Sequence, residues 1–236
     1  MRPRLLVLDN SGLPWLFRED RAWFHHFRGA DLVRVNIPGG KPIPPLEGFS
    51  HLLISGSEAS ILQPRAWFDR EANLTREAVE RGMPILGSCF GHQMLVYALS
   101  GSEYVKRSPM PEIGWITIHK VADDELLADV PNPWRTMAYH FDEVASLPEP
   151  WRILARSDAC PAQVVRYGDK PVWGIQPHPE VPRWKARAFL PLYRAYSRLF
   201  VRGEIWRAIC TSSAPSPEDD VVESIARRFL DQRAIS

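Results

Sequence analysis

The sequence predicts an α/β protein: a three-layer α/β/α domain around a central, mostly parallel mixed sheet. Over the first hundred residues, short aliphatic runs alternate with helical patterns, as parallel βαβ units require. The aliphatic runs are four to six residues long and end in turn residues, the mark of strands buried on both faces. From Trp115 to Gln176 the pattern changes to short strand-like runs with turns between them, as antiparallel ribbons added to the sheet would give.

Taken in order, Arg4–Asp9 is an aliphatic run closed by Asn10, Ser11 and Gly12, a buried strand. Residues 16–27 hold apolar groups at helical spacing, and Asp31–Asn36 reads as the second strand. Residues 38–45, with Pro-Gly-Gly-Lys-Pro, form a loop. A strand over 51–55 enters Gly56. Residues 69–81 hold strong helix formers and stop at Gly82, ahead of Pro84, a helix C-cap signature. Residues 84–88 form another buried strand, and 91–99 an apolar helix ending near Gly101. Strand-like runs then follow at 115–120, 135–139, 152–156, 163–167 and 171–176. Residues 183–202 return to helix, with Phe189, Leu192, Tyr193, Tyr196, Leu199 and Phe200 on one stripe. A linker over 212–217 leads to a final helix, with Ser216 as N-cap and Pro217 at its first position. Its thin apolar face (Val221, Val222, Ile225, Phe229) suggests loose docking or contact with a partner. The division expected is a main domain over 1–202 and a C-terminal helical extension over 203–236.

Composition narrows the function classes. The 236 residues carry 29 Lys plus Arg against 28 Asp plus Glu, a net charge of +1, so no global field steers the chain to nucleic acid or an anionic membrane. Cys89, Cys160 and Cys210 form no Cys-x-x-Cys pair, which argues against a zinc ribbon or a dense disulfide frame. The apolar run after Arg2 and Arg4 is stopped at once by Asp9, so no signal peptide is expected. The longest aliphatic stretch, 94–99, is far short of the ~20 residues of a membrane helix. A cytoplasmic protein with free thiols is the expectation.

The sharpest chemical signal is Gly87-Ser88-Cys89-Phe90-Gly91-His92-Gln93, set between a predicted strand and a predicted helix. Strand, sharp turn, helix is the context of a nucleophile elbow. The two glycines permit the tight turn and leave the Cys89 sulfur exposed at a strand's C-terminal end, where open α/β sheets place ligands. The helix behind it aims its N-terminal amides at the sulfur and favours thiolate. A lone cysteine is otherwise usually a small buried hydrophobe; the glycine-flanked elbow reverses that expectation. A thiolate needs a base, and of the seven histidines His178 is best placed. It lies in Gly174-Ile175-Gln176-Pro177-His178-Pro179-Glu180, just after a strand, with Glu180 positioned to orient the imidazole and stabilise its cation. The bland alternative is a surface loop histidine beside an ordinary glutamate. No second histidine or cysteine sits at ligand spacing from it, so no metal is expected. His25, His26 and His51 read as helix-surface and strand-start residues without function. The turn Ser55-Gly56-Ser57-Glu58 exposes backbone N–H groups, and the amides of Ser57 and Phe90 together would make an oxyanion hole. An ordinary βα turn explains it equally well.

In combination these segments resemble the class I (triad-type) glutamine amidotransferase domains, and among them the stand-alone GMP-synthase-like amidotransferases. Gly-Ser-Cys-Phe-Gly-His-Gln matches their G-x-C-x-G-x-Q elbow, and Gly-Ile-Gln-Pro-His-Pro-Glu resembles their G-x-Q-x-H-P-E motif. Ser55-Gly56-Ser57 resembles the S-G-G oxyanion turn, and Tyr139-His140-Phe141-Asp142 the S-H-G-D segment of the GMP synthase type. The resemblance covers about Leu5 to Glu180. It implies a flavodoxin-like fold in which Cys89 attacks the γ-carboxamide carbon of glutamine or a γ-glutamyl substrate. His178 then moves the proton, Glu180 holds His178, and the Ser57 and Phe90 amides stabilise the oxyanion. Gly56, Gln93, His140, Phe141 and Asp142 would recognise the glutamyl part. No metal or organic cofactor is implied.

Three departures stand out. Ser57 replaces the second Gly of the oxyanion turn and restricts its backbone. Phe141 replaces the Gly of S-H-G-D and alters the glutamyl pocket. Pro177 replaces the common Phe before His178. The sequence holds no S-G-G-x-D-S pyrophosphatase loop, and the residues after Glu180 have room for a helix or two but none for a synthetase. Two enzyme readings follow: a glutaminase feeding ammonia to a separate synthetase subunit, or a γ-glutamyl peptidase or amidase acting alone, which the altered pocket and extra C-terminal helices favour slightly. A non-catalytic binding or regulatory module on the same scaffold is the alternative outside enzymology. A cysteine hydrolase of a different branch, acting on peptides or small aldehydes, fits Gln93 and His-Pro-Glu less well.

Overall fold

Aliphatic runs buried on both faces build the central sheet of the computed structural model, which describes residues 2–12, 19–182, 184–185, 188, 190–191 and 220–234, with 19–21 as backbone only. Among these residues nine strands form one mixed sheet: β1 (Arg4–Asp9), β2 (Asp31–Asn36), β3 (His51–Ile54), β4 (Ile85–Ser88), β5 (Val105–Lys120), β6 (Trp134–Val144), β7 (Trp151–Arg156), β8 (Val164–Tyr167) and β9 (Val172–Ile175). Their order is β2-β1-β3-β4-β9-β8-β7-β5-β6. The block from β2 to β9 is parallel, and the block from β9 to β6 is antiparallel.

Leu6 and Leu8 face one side of β1 and Leu5 and Val7 the other, all fully buried, as the two-residue period of a strand dictates. On the first face lie α2 (Phe68–Glu80) and α3 (Phe90–Leu99); on the second lie α1 (Glu19–Phe24) and α4 (Asp220–Leu230). This is the expected three-layer arrangement. Helix α2 ends as its glycine predicts. Gly82 takes φ +64°, its N–H donates to the Val79 carbonyl, and the Met83 N–H donates to the Ala78 carbonyl. Together these bonds satisfy the last carbonyls of the helix. No helix among the described residues is long and apolar enough to cross a membrane.

The structure departs from the sequence reading in three places. First, β5 and β6 run well beyond 115–120 and 135–139. Pro109 and Pro111 hide the first half of β5, and the pair tolerates them because its register shifts between Arg107 and Glu112. Second, α4 does not dock loosely: Val221, Val222, Ile225, Ala226 and Phe229 are all buried against Trp23, Phe27, Leu5 and Leu53. Its apolar face looks thin only because one edge is completed by Ala226 and by ring contacts of Phe229 with Phe27 and His51, at 6.0 and 5.1 Å. Third, the first expected helix is α1, which ends at Phe24 instead of residue 27, while residues 16–18 fall outside the described residues. The rest of the closing helix expected over 183–202 falls outside the described residues, though Leu190 packs with Ile113, Trp115 and Met137. The linker over 212–217, the Ser216 cap and Cys210 also lie outside the described residues.

His51 pins α4 to the sheet. With the Ser50 hydroxyl 2.8 Å from Nδ1, its Nε2 donates to the Phe229 carbonyl at 3.1 Å, and burial pushes the imidazole down to about 4. The folded state therefore holds His51 neutral while the unfolded chain protonates it near pH 6.5. Its contribution is present above that pH and is lost as pH falls towards 4. Urea unfolding at about pH 7 and about pH 4.5 is expected to show a smaller drop in stability for His51→Gln than for the wild-type chain.

Candidate active site

Three strand ends meet at the C-terminal edge of the parallel block. Ile54 pairs with Gly87, and Ser88 pairs with Ile175, so the turn 55–57, Cys89 and the segment 176–180 leave the sheet side by side. Open α/β sheets place ligands at such an edge. The Cys89 N–H donates to the Ile175 carbonyl at 2.7 Å, which ties the elbow to the strand that delivers His178.

Cys89 has φ +51° and ψ −104°, the sole non-glycine positive φ among the described residues. The strain of such a backbone is stored at functional sites when the surroundings enforce it. Here the enforcement is visible. A Cβ on Gly87 would collide with the Gly91 carbonyl, and a Cβ on Gly91 would collide with the Ile54 carbonyl. Helix α3 thus starts hard against β3 and β4. Phe90, buried against Trp67 and Phe68 at 5.5 Å each, fixes the first residue of α3, whose amide has no partner within the helix.

The Cys89 sulfur meets three groups. Its thiol lies 3.9 Å from the Tyr139 carbonyl, Gln176 Nε2 donates to it at 3.6 Å, and it is hydrogen-bonded to His178. His178 is buried, its Nδ1 donates to Glu180 Oε1 at 2.8 Å, and so Nε2 is the nitrogen left for the sulfur. The His178 N–H donates to the Met137 carbonyl at 2.7 Å, in a bridge that anchors β6 across the site. Burial alone would lower the His178 pKa. The charges of Cys89 and Glu180, with their hydrogen bonds, outweigh it and hold the imidazole well above its usual value. The structure thus brings Cys89, His178 and Glu180 together.

At the turn 55–57, Ser57 is partly exposed and its hydroxyl donates to the Asn10 carbonyl at 2.6 Å. Of the expected recognition residues, Gln93, His140 and Asp142 lie deeper. Gln93 is buried and its Nε2 donates to the Asp142 carbonyl at 2.9 Å and to Gln176 Oε1 at 3.1 Å. Asp142 accepts from Ser60 Oγ and from Arg107 at 3.0 Å. The Phe141 ring lies edge-on to Tyr139 at 5.7 Å and under the Arg107 guanidinium at 5.0 Å. His140 turns inward, with Nδ1 3.1 Å from the Asp142 carbonyl and Nε2 3.0 Å from Glu112 Oε2. Around Glu112 the residues Ser157, Gln163 and His140 complete a buried polar network. Glu112, His140 and Cys160 bring three ligand-type atoms within 4.8 Å of one another, across sequence distances that local spacing does not reveal. Both carboxylate oxygens of Glu112 are committed to this network, and burial pushes the Cys160 thiol up, away from the thiolate a metal would take.

Sequence reasoning assigned no role to Gln176 or Glu112. Gln176 was legible in principle, since it lies two residues before His178 in the segment that leaves β9. Nothing local marks Glu112.

A family model described as glutamine amidotransferase class-I matches residues 28–188. Among curated proteins, a glutamine-hydrolysing GMP synthase subunit of Methanococcus vannielii is 35% identical over 179 residues, covering 75% of this chain and 88% of that protein. Its counterpart in Methanocaldococcus jannaschii is 29% identical over 177 residues, with the same coverage. Among solved structures, a glutamine amidotransferase from Thermotoga maritima superposes with a TM-score of 0.74 at 22% identity, covering 98% of this chain and 100% of that one. One from Methylobacillus flagellatus gives 0.73 at 20% identity, covering 99% and 96%. At these identities the structures bear on the fold alone.

The balance at His178 gives a direct expectation. Removing the sulfur charge with Cys89→Ala, or the carboxylate charge with Glu180→Gln, is expected to lower the His178 pKa. NMR titration of the imidazole Cε1–H resonance reads the change, and an unmoved resonance in both variants would refute the charge balance described.

Proposed function

The chain belongs to the class-I glutamine amidotransferase family, and on that premise we propose that it hydrolyses the γ-amide of glutamine or of a γ-glutamyl compound through a γ-glutamyl thioester on Cys89. The observation that carries this reading is the buried chain from Cys89 Sγ through His178 to Glu180, assembled where three parallel strands end. His178 holds the proton of the Cys89 thiol while the sulfur attacks the carboxamide carbon, and passes that proton to the nitrogen as the C–N bond breaks. Water, deprotonated by His178, then opens the thioester, giving glutamate and restoring the thiol. The Ser57 and Phe90 amides are the donors for the oxyanion of both tetrahedral intermediates. Glu180 keeps His178 in the tautomer that faces the sulfur. Gly56, Gln93 and the segment His140–Phe141–Asp142 bound the pocket for the glutamyl group, and none of these steps draws on a metal or an organic cofactor.

The relatives are named as parts of a glutamine-hydrolysing synthase, which supports delivery of the ammonia to a separate synthetase subunit. A second reading, a γ-glutamyl hydrolase acting alone in the cytoplasm, is supported by Phe141. Its ring and the Arg107 guanidinium above it occupy ground that the resembling motif leaves to a glycine. On either reading 1–202 carries the chemistry, and 203–236 is the extension that contributes α4.

Glutamate release from glutamine, glutathione and γ-glutamyl amines tests the proposal. Cys89→Ala is expected to abolish turnover, and His178→Ala to lower kcat by about 10²–10⁴-fold. Absence of turnover with every substrate, with or without added cell extract, would refute catalysis and favour a binding module.

A further inference from the structure

Ser57, where the resembling oxyanion turn has its second glycine, has its hydroxyl fully used. It donates to the Asn10 carbonyl at 2.6 Å and accepts from the Ala59 N–H at 3.0 Å. The residues before it are equally committed. The Ser55 N–H donates to the Leu8 carbonyl at 3.0 Å, and its hydroxyl accepts from the Asn10 N–H at 3.0 Å. That hydroxyl also donates to the Gly56 carbonyl at 3.0 Å, while Asn10 Nδ2 donates to the Ser55 carbonyl at 3.4 Å. The same Nδ2 donates to Glu71 Oε1 at 2.8 Å, so the brace is rooted in α2. Glu71 is wholly buried, which pushes its carboxyl up to about 8 and leaves it neutral at pH 7.

Peptide geometry turns these contacts into an orientation. In a planar trans peptide the C=O and N–H point opposite ways. The Gly56 carbonyl is held inward by the buried Ser55 hydroxyl, so the Ser57 N–H faces outward, away from it. Turning this peptide over would break the bond to Ser55, and carrying Ser57 with it would break the bonds to Asn10 and Ala59.

We infer that the Ser57 hydroxyl is a latch, a positioning residue that holds its own backbone amide in the donor orientation, so that hydrolysis at this site runs without a bound synthetase. The inference rests on the catalytic reading above and deepens it: the site is assembled within one chain, braced by Asn10 and Glu71.

The test compares the wild-type chain with Ser57→Ala, Ser57→Gly and Ser57→Thr. Losing the hydroxyl is expected to lower kcat for glutamine about tenfold, with KM changed less than about twofold, and Ser57→Thr is expected to recover most of the loss. Iodoacetamide alkylation of Cys89 passes through no oxyanion, so its rate should not follow the kcat loss. Hydrogen exchange at the Ala59 amide should quicken in the Ala and Gly variants and slow again in the Thr variant. Turnover of the wild-type chain should stay within about twofold when a synthetase-containing cell extract is added. Unchanged kcat and unchanged Ala59 exchange in Ser57→Ala would overturn the latch, as would stimulation of the wild type well above tenfold by the extract. If no substrate is turned over, the catalytic reading fails, and Ala59 exchange alone still decides whether the hydroxyl holds the turn.

Discussion

Helix α3 begins so close to β3 and β4 that no side-chain carbon fits at position 87 or 91, and the rest of the site depends on that approach. The Gly91 backbone lies against the Ile54 carbonyl, and the chain can pass from β4 into α3 only by taking Cys89 through a positive φ. The strain is offset by burial of Phe90, Met94 and Leu95 on one face of the sheet. The outcome is chemical. The sulfur stands off the strand end, beside the amide that opens α3, with β9 paired to β4 and delivering Gln176 and His178 to its other side.

Around that elbow, burial and charge compete, and they reach different outcomes at different residues. His51 and His92 are buried without a counter-charge, and burial wins: they are held neutral, at about 4 and about 3. Glu71 is buried so deeply that neither the Asn10 amide nor the charge of Arg70 outweighs burial, and it is held neutral from the other direction. His178 is as deeply buried, yet two negative groups reach it and its cation is favoured. A carbon at position 174 would strike the His92 ring, so Gly174 lets that neutral histidine pack against β9.

The elements that were legible in advance were those whose signals are local. Strand Arg4–Asp9, strand Asp31–Asn36 and the glycine stop of α2 follow from periodicity and cap chemistry within a few residues. The elbow glycines and the His178–Glu180 pair were legible for the same reason, since each lies within five residues of its partner. The first half of β5 was not, because two prolines speak against a strand and only the shifted register on β6 accommodates them. The burial of α4 was not, because its face is completed by Phe27, Trp23 and His51 from the other end of the chain.

From the amino-acid order come the layered α/β architecture and the identity of the three residues that form the Cys-His-Glu chain. Hydrophobic period, turn chemistry and short motifs act over a few bonds, and they read the same in any context. What those residues lean on was settled by folding. Gln93 meets Asp142 across 49 residues, Asn10 meets Glu71 across 61, and Gln176 meets Cys89 across 87. Such pairs carry no local signature. They are fixed when strands from distant parts of the chain fall into register, and that register is a property of the whole packed sheet.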